Sequence, residues 1–275
     1  MATLKRSTGS GTTNWVEVPN GTKVSRSTGS GTDNWSNPKH VWYSTGSGTG
    51  SWVKTWSKSD PVKYTFVANR SKYFRHTTGS WGSSPSAASL RTGAWNVDSG
   101  GGTYSNSTYV GVFGFSTESG GQTLAQVLAE RPYVTSATPT AGGSAENSIK
   151  LRRQTPTYTG YGSAYGTWYL GKYTGETTDG SPDADDCNQT GKISKTLASG
   201  SPITAGGYLT YTPSVSEMQV LADHMDTNPL WITNKNSIAN IKAAGGFTNT
   251  EYLVFYGTGE TTPPTLTLTL DYVAP

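Results

Sequence analysis

Near its end the chain alternates over Thr265-Leu-Thr-Leu-Thr-Leu-Asp-Tyr272, which places Leu266, Leu268, Leu270 and Tyr272 on one face in strict period two. Successive side chains of an extended strand point to opposite faces, so this pattern predicts a half-buried β-strand. Shorter runs of the same kind predict strands over residues 62–67, 108–115, 148–152, 166–173 and 251–256. Three segments carry helix signals instead. Residues 123–131 open on a Thr123/Gln126 capping box and end at Pro132; residues 214–225 open on a Ser214/Glu217 box; residues 236–244 stop at Gly245. These helices are expected as insertions on a β-framework. Many evenly spaced strands with few helices predict an antiparallel jelly-roll or β-sandwich domain.

Before residue 60 the pattern changes to a repeat. Arg6-Ser-Thr-Gly-Ser-Gly-Thr-Thr-Asn-Trp15 recurs as Arg26-Ser-Thr-Gly-Ser-Gly-Thr-Asp-Asn-Trp35 and as Tyr43-Ser-Thr-Gly-Ser-Gly-Thr-Gly-Ser-Trp52, with a fainter echo at Thr77-Thr-Gly-Ser-Trp81. Each copy is a Gly-rich turn followed by Trp and a short apolar alternation, the pattern of successive β-hairpins. A flexible linker has no reason to hold Trp at a fixed offset from its glycines. The chain is therefore expected to be all-β. A hairpin repeat segment, residues 1–59, suits docking or oligomerisation, and a jelly-roll domain with a few short helices is expected over residues 60–275. Hairpins this small cannot bury Trp15, Trp35, Trp42, Trp52 and Trp56 alone, so stacking or association into a homotrimer is expected.

Composition sharpens this picture. Of 275 residues, 33% are hydrophobic and only 14% charged, while 16 Tyr and 9 Trp supply the large apolar surfaces. The formal net charge of +3 conceals an asymmetry: residues 1–75 carry 11 Lys/Arg against 3 acids, and residues 76–275 carry 10 against 15. A basic segment suits an acidic neighbouring protein, nucleic acid or an anionic cell wall; nucleic acid is not among the partners expected. Cys187 is the single cysteine, which excludes an intrachain disulfide and a thiolate zinc cluster. No run is long and apolar enough to span a bilayer, and the start lacks the apolar stretch of a signal peptide, so synthesis in the cytoplasm without membrane insertion is expected. On that ground the sequons at Asn20, Asn34, Asn69, Asn106 and Asn188 are discounted.

Catalytic chemistry finds little support. His40, His76 and His224 are the only neutral-pH bases, and none stands in a recognisable catalytic motif. A glycosidase needs two facing carboxylates, and nothing among Asp98, Glu118 or Glu176 selects a pair. The glycines alternate with Ser and Thr and do not lead from a strand into a helix, so no phosphate loop is present. An acidic segment with Asp179, Asp183, Asp185 and Asp186 has enough oxygen ligands for calcium but departs from EF-hand spacing, and a solvated loop is the alternative. No other cofactor is expected. Tyr158, Tyr161 and Tyr165, spaced by glycines, are candidates for stacking on sugar rings; a Gly/Tyr loop covering the sandwich is the alternative.

The repeats, with Trp15, Trp35 and Trp52 after Gly-rich turns and Val41-Trp42-Tyr43 leading into the next copy, resemble the amino-terminal repeats of minor tail proteins from phages of actinobacteria. The remainder is similar to the DNRLRE and carbohydrate-binding-module type of jelly roll found in such proteins. That similarity lies in residues 109–115, 144–151 and 211–225 and in Tyr252-Leu-Val-Phe-Tyr through Pro263-Pro-Thr-Leu-Thr-Leu-Thr-Leu. Ser116 departs from it, since that domain type usually has Asp there. The resemblance implies a non-enzymatic structural component of the virion tail, bound to other tail proteins and contributing to attachment to a host cell-surface glycan. A capsid decoration or head-fibre protein and a glycan-degrading tail enzyme are the alternatives.

Overall fold

The computed structural model describes residues 5–7, 15–17, 26–27, 35–36, 40–44, 52–57, 61–77, 80–84, 89–98, 104–118, 121–139, 143–154, 166–174, 184–198, 203–243 and 251–271. It describes side chains in 61–76, 89–94, 107–115 and 252–271 and in the segments between 121 and 243. The chain divides into two compact units, Met1–Asp60 and Pro61–Pro275.

In the first unit each repeat forms one antiparallel ribbon. Strand β1 (Lys5–Ser7) pairs with β2 (Trp15–Glu17), β3 (Arg26–Ser27) with β4 (Trp35–Ser36), and β5 (His40–Ser44) with β6 (Trp52–Ser57). The register is the same in all three: Ser7 lies opposite Trp15, Ser27 opposite Trp35 and Ser44 opposite Trp52. Sequence identity between copies has thus become identity of pairing, because connections of one length and composition close the ribbon at one place. Trp42 lies opposite Lys54 and Trp56 opposite Val41, across a register shift between Val41 and Trp42. The side chains of all five tryptophans lie outside the described residues.

The second unit begins with β7 (Val62–Thr77), β8 (Ser80–Ser84), β9 (Ser89–Asp98), β10 (Tyr104–Glu118), α1 (Leu124–Glu130), β11 (Tyr133–Val134), β12 (Ser148–Arg152) and β13 (Gly166–Lys172). It continues with β14 (Ile193–Leu197), β15 (Tyr208–Tyr211), α2 (Val215–Met225), β16 (Leu230–Thr233), α3 (Ile238–Lys242), β17 (Glu251–Tyr256) and β18 (Thr265–Asp271). Its main path runs β14-β13-β16-β10-β7-β18-β12-β15, antiparallel throughout, and the end strands β14 and β15 meet, so the sheet nearly closes. This is an all-β sandwich of jelly-roll type. Strands β7 and β10 each pair with three others. Beyond their shared ladder, β10 takes β16 along one part and β9 along another, with a register shift at Gly114/Phe115 that bends the pair.

The alternation of β18 buries Leu266, Leu268 and Leu270 completely. They join Phe66, Phe113, Ile149, Leu151, Trp168 and Leu170 in the main core. A second core gathers Phe74, Val110, Val112, Tyr173, Trp231 and Ile241, and a third packs Tyr73, Tyr109 and Tyr252. Residues 107–115 of β10 are all buried because these clusters cover both of its faces.

Both capping boxes are formed: Thr123 with Gln126, and Ser214 with Glu217. α3 starts on the Ser237 cap, one residue after Asn236. Helix α2, inserted between β15 and β16, packs on the β-framework. Met218, Leu221, Ala222 and Met225 form its buried face and belong to the main core. Strand 62–67 is longer than expected, running on to Thr77, since Tyr73 and Phe74 of that polar stretch enter two different cores. Among the described residues no helix is long and apolar enough to cross a membrane.

Candidate functional site

The site is built from one property of alternating strands: the residues that skip the core share the opposite face. In β12, Ile149 and Leu151 are fully buried, so Lys150 and Arg152 turn outward. In β18 the leucines are inside, and Thr265 and Thr267 lie on the outer face. In β7, Tyr64, Phe66 and Ala68 are buried while Lys63, Thr65 and Val67 are exposed. Pairing aligns these positions. Arg152 lies opposite Tyr208 of β15, Lys150 between Thr210 and Thr265, Thr267 between Ser148 and Thr65, and Val67 opposite Thr265. The result is a four-strand polar face bordered by Tyr208, which is 53% exposed.

Arg152 is held in place at the border. Its Nε donates to the Gly206 carbonyl at 3.2 Å and its Nη1 to the Thr262 hydroxyl at 3.3 Å. The guanidinium carbon lies 6.0 Å from the Tyr208 ring centre and 5.7 Å from that of Tyr256, within cation–π range of both. The turn bearing Gly206 is fastened to the end of β12. Arg153 N donates to the Gly207 carbonyl at 2.8 Å, Gly206 N donates to the Arg153 carbonyl at 3.0 Å, and Arg153 Nη1 donates to the Ile203 carbonyl. Gly206 adopts φ +79°, a conformation that a side chain would strain. Neither Lys150 nor Arg152 has a carboxylate partner among the described residues.

The candidates read from the sequence are placed unevenly. Tyr158, Tyr161 and Tyr165 lie outside the described residues, as do Asp179 and Asp183. Asp185 is exposed and ion-paired with Lys242, and Asp186 accepts a hydrogen bond from the Tyr173 hydroxyl at 3.0 Å. These two carboxylates turn to different partners, and among the described residues no three His, Cys, Asp or Glu side chains converge as metal ligands. The side chains of Asp98 and Glu118, and all of Glu176, also lie outside the described residues. Tyr208 and Thr262 carry no motif, and only the pairing partner of Arg152 and the turn before β18 reveal them. A cavity of about 50 Å³ lined by Arg70, Ser71, Lys72, Val112, Phe113 and Pro229 has room for water, and none for a sugar ring.

His224 is a structural joint. Its Nε2 lies 3.0 Å from the carbonyls of both Tyr173 and Pro229, two acceptors, so this nitrogen carries the hydrogen. Burial lowers its pKa, the two carbonyl contacts oppose that change, and the charges of Lys172 and Arg70 lower it further. A lowered folded pKa means that the unfolded chain binds a proton first as pH falls. The stabilisation is complete above the ordinary histidine value and declines as pH drops from there through the folded pKa. Glu217 acts in the same sense lower down, because its hydrogen bonds to Ser214 depress its pKa. The melting temperature is therefore expected to fall on acidification from about pH 7 to 4. His224→Gln, which does not titrate, should flatten the part of that fall nearest neutrality. An unchanged profile in this variant, followed by circular dichroism, would show that His224 does not govern it.

The chain matches no family model and no curated protein sequence.

Proposed function

We propose that the chain is a non-catalytic structural protein of a phage tail, in which the Trp repeats dock or oligomerise and the sandwich contacts host-surface carbohydrate. The observation that carries the carbohydrate reading is the half-exposed Tyr208 beside the fixed Arg152 on a threonine-rich sheet face. Sugars offer an apolar C–H face and a rim of hydroxyls. A tyrosine ring covers the first, while Thr hydroxyls, Lys150 and Arg152 serve the second. The tail reading is supported by the resemblance of the repeats to minor tail proteins and by the single register that all three copies share.

Binding of the full chain to cell-wall polysaccharides of actinobacteria, measured by calorimetry, tests the first half. Tyr208→Ala is expected to weaken binding by about tenfold, the loss of one stacking contact. Affinity unaffected by Tyr208→Ala but lost in Tyr161→Ala or Tyr165→Ala would move the site to the Gly/Tyr segment. Gold-labelled antibody on assembled particles should mark the tail; a label over the capsid would favour a head-fibre or decoration protein. Light scattering of the purified chain is expected to give the mass of a trimer.

A further inference from the structure

We propose that Arg152 makes this face selective for a carboxylate-bearing sugar unit, the sugar ring lying on Tyr208 and its carboxylate on the guanidinium. The proposal rests on the carbohydrate reading above and specifies which carbohydrate. Its basis is a charge that is held firmly but not neutralised. Four contacts fix the Arg152 side chain: the Gly206 carbonyl, the Thr262 hydroxyl and the rings of Tyr208 and Tyr256. All four partners are uncharged. Arginine has five N–H donors, and two are used here, so three meet no acceptor among the described residues.

An arginine needed only for packing has no reason to be oriented with its donors unspent. Ordering a long side chain costs rotamer entropy, and when the protein has already met that cost a ligand binds without it. Guanidinium donors in a fixed plane match the two oxygens of a carboxylate, a geometry that lysine cannot reproduce. The surroundings carry the same sign. Lys63, Lys150 and Arg152 occupy the outer face of β7, β12, β18 and β15, and the one carboxylate of these strands on that face is Asp271, at the far end where β18 pairs with Tyr133. These strands bring no acid beside Arg152, and Glu260, in the turn that carries Thr262, forms no ion pair with it. With its guanidinium carbon 6.0 Å from the centre of the Tyr208 ring, Arg152 is close enough for both groups to act on one sugar unit.

The full chain is titrated with polygalacturonate, with the same polymer after reduction of its carboxylates to alcohols, and with dextran sulfate, at about 0.15 M salt to screen distant charge. Polygalacturonate is expected to bind at least about tenfold more tightly than either of the others. Arg152→Gln should abolish that preference, and Arg152→Lys, which keeps the charge but loses the planar fork, should restore only a small part of it. Thr262→Val loosens one clamp and leaves the strand intact, so it should reduce the preference even if Arg152→Gln fails to fold. Equal affinity for the acidic and reduced polymers would overturn the carboxylate assignment and leave the carbohydrate reading standing. Dextran sulfate binding as tightly as polygalacturonate would overturn it in favour of general attraction of polyanions. Failure to bind these or any cell-wall glycan would remove the carbohydrate reading, and this proposal with it.

Discussion

Replacing Trp231 by alanine is expected to lower the unfolding free energy by about 3–5 kcal/mol, the range for deleting a buried large aromatic side chain. Trp231 is fully buried in the second core among Phe74, Val110, Val112, Tyr173 and Ile241. Its indole nitrogen also donates to the Asn188 carbonyl at 3.2 Å, which fastens the loop before β14 to β16. Alanine removes the packing and leaves that carbonyl without its donor, so the cavity and the hydrogen-bond losses add. Urea denaturation followed by far-ultraviolet circular dichroism reads the change. A loss below about 1 kcal/mol would mean that the second core does not hold the sandwich together.

Gly171→Ala is expected to destabilise by about 1–3 kcal/mol, although it adds one methyl group. Gly171 lies directly opposite Trp231 in the β13–β16 ladder, and a Cβ there would sit 2.7 Å from two carbons of the indole ring. The constraint is space rather than backbone conformation, since Gly171 is not among the residues with positive φ. An indole fixed by surrounding side chains and by its bond to Asn188 has no flexible end to swing away. The two substitutions should therefore couple. In the Trp231→Ala background the added methyl group meets no ring, and the double variant should be less destabilised than the sum of the singles. Strict additivity in the urea series would show that Gly171 is needed for some other reason.

Elements with a strong local signal were legible in the sequence. The leucine alternation of β18, the bounds of β12 and β17, and the capping boxes of α1 and α2 can be read directly, because a period or a cap is set by residues a few positions apart. Strand β16 escaped notice since Leu230-Trp-Ile-Thr233 is buried at all four positions and has no period to detect. Strand β14 is exposed over Ser194, Lys195 and Thr196, and so offers little apolar signal. Strand β15 holds only Tyr208–Tyr211, too short a run to establish a period. Of the candidate site, Arg152 stood within a predicted strand, yet nothing near it in sequence distinguished it from any other surface arginine.

By itself the sequence determined the β class, the three-copy repeat with its Trp spacing, and the two faces of each regular strand, because alternation and turn chemistry act over neighbouring residues. Tertiary structure alone decided which faces would meet. Arg152 acquires Tyr208, Tyr256, Gly206 and Thr262 from positions that lie 54 to 110 residues away. Strand order and register set those meetings, and both depend on the burial of the whole core, to which no local pattern has access.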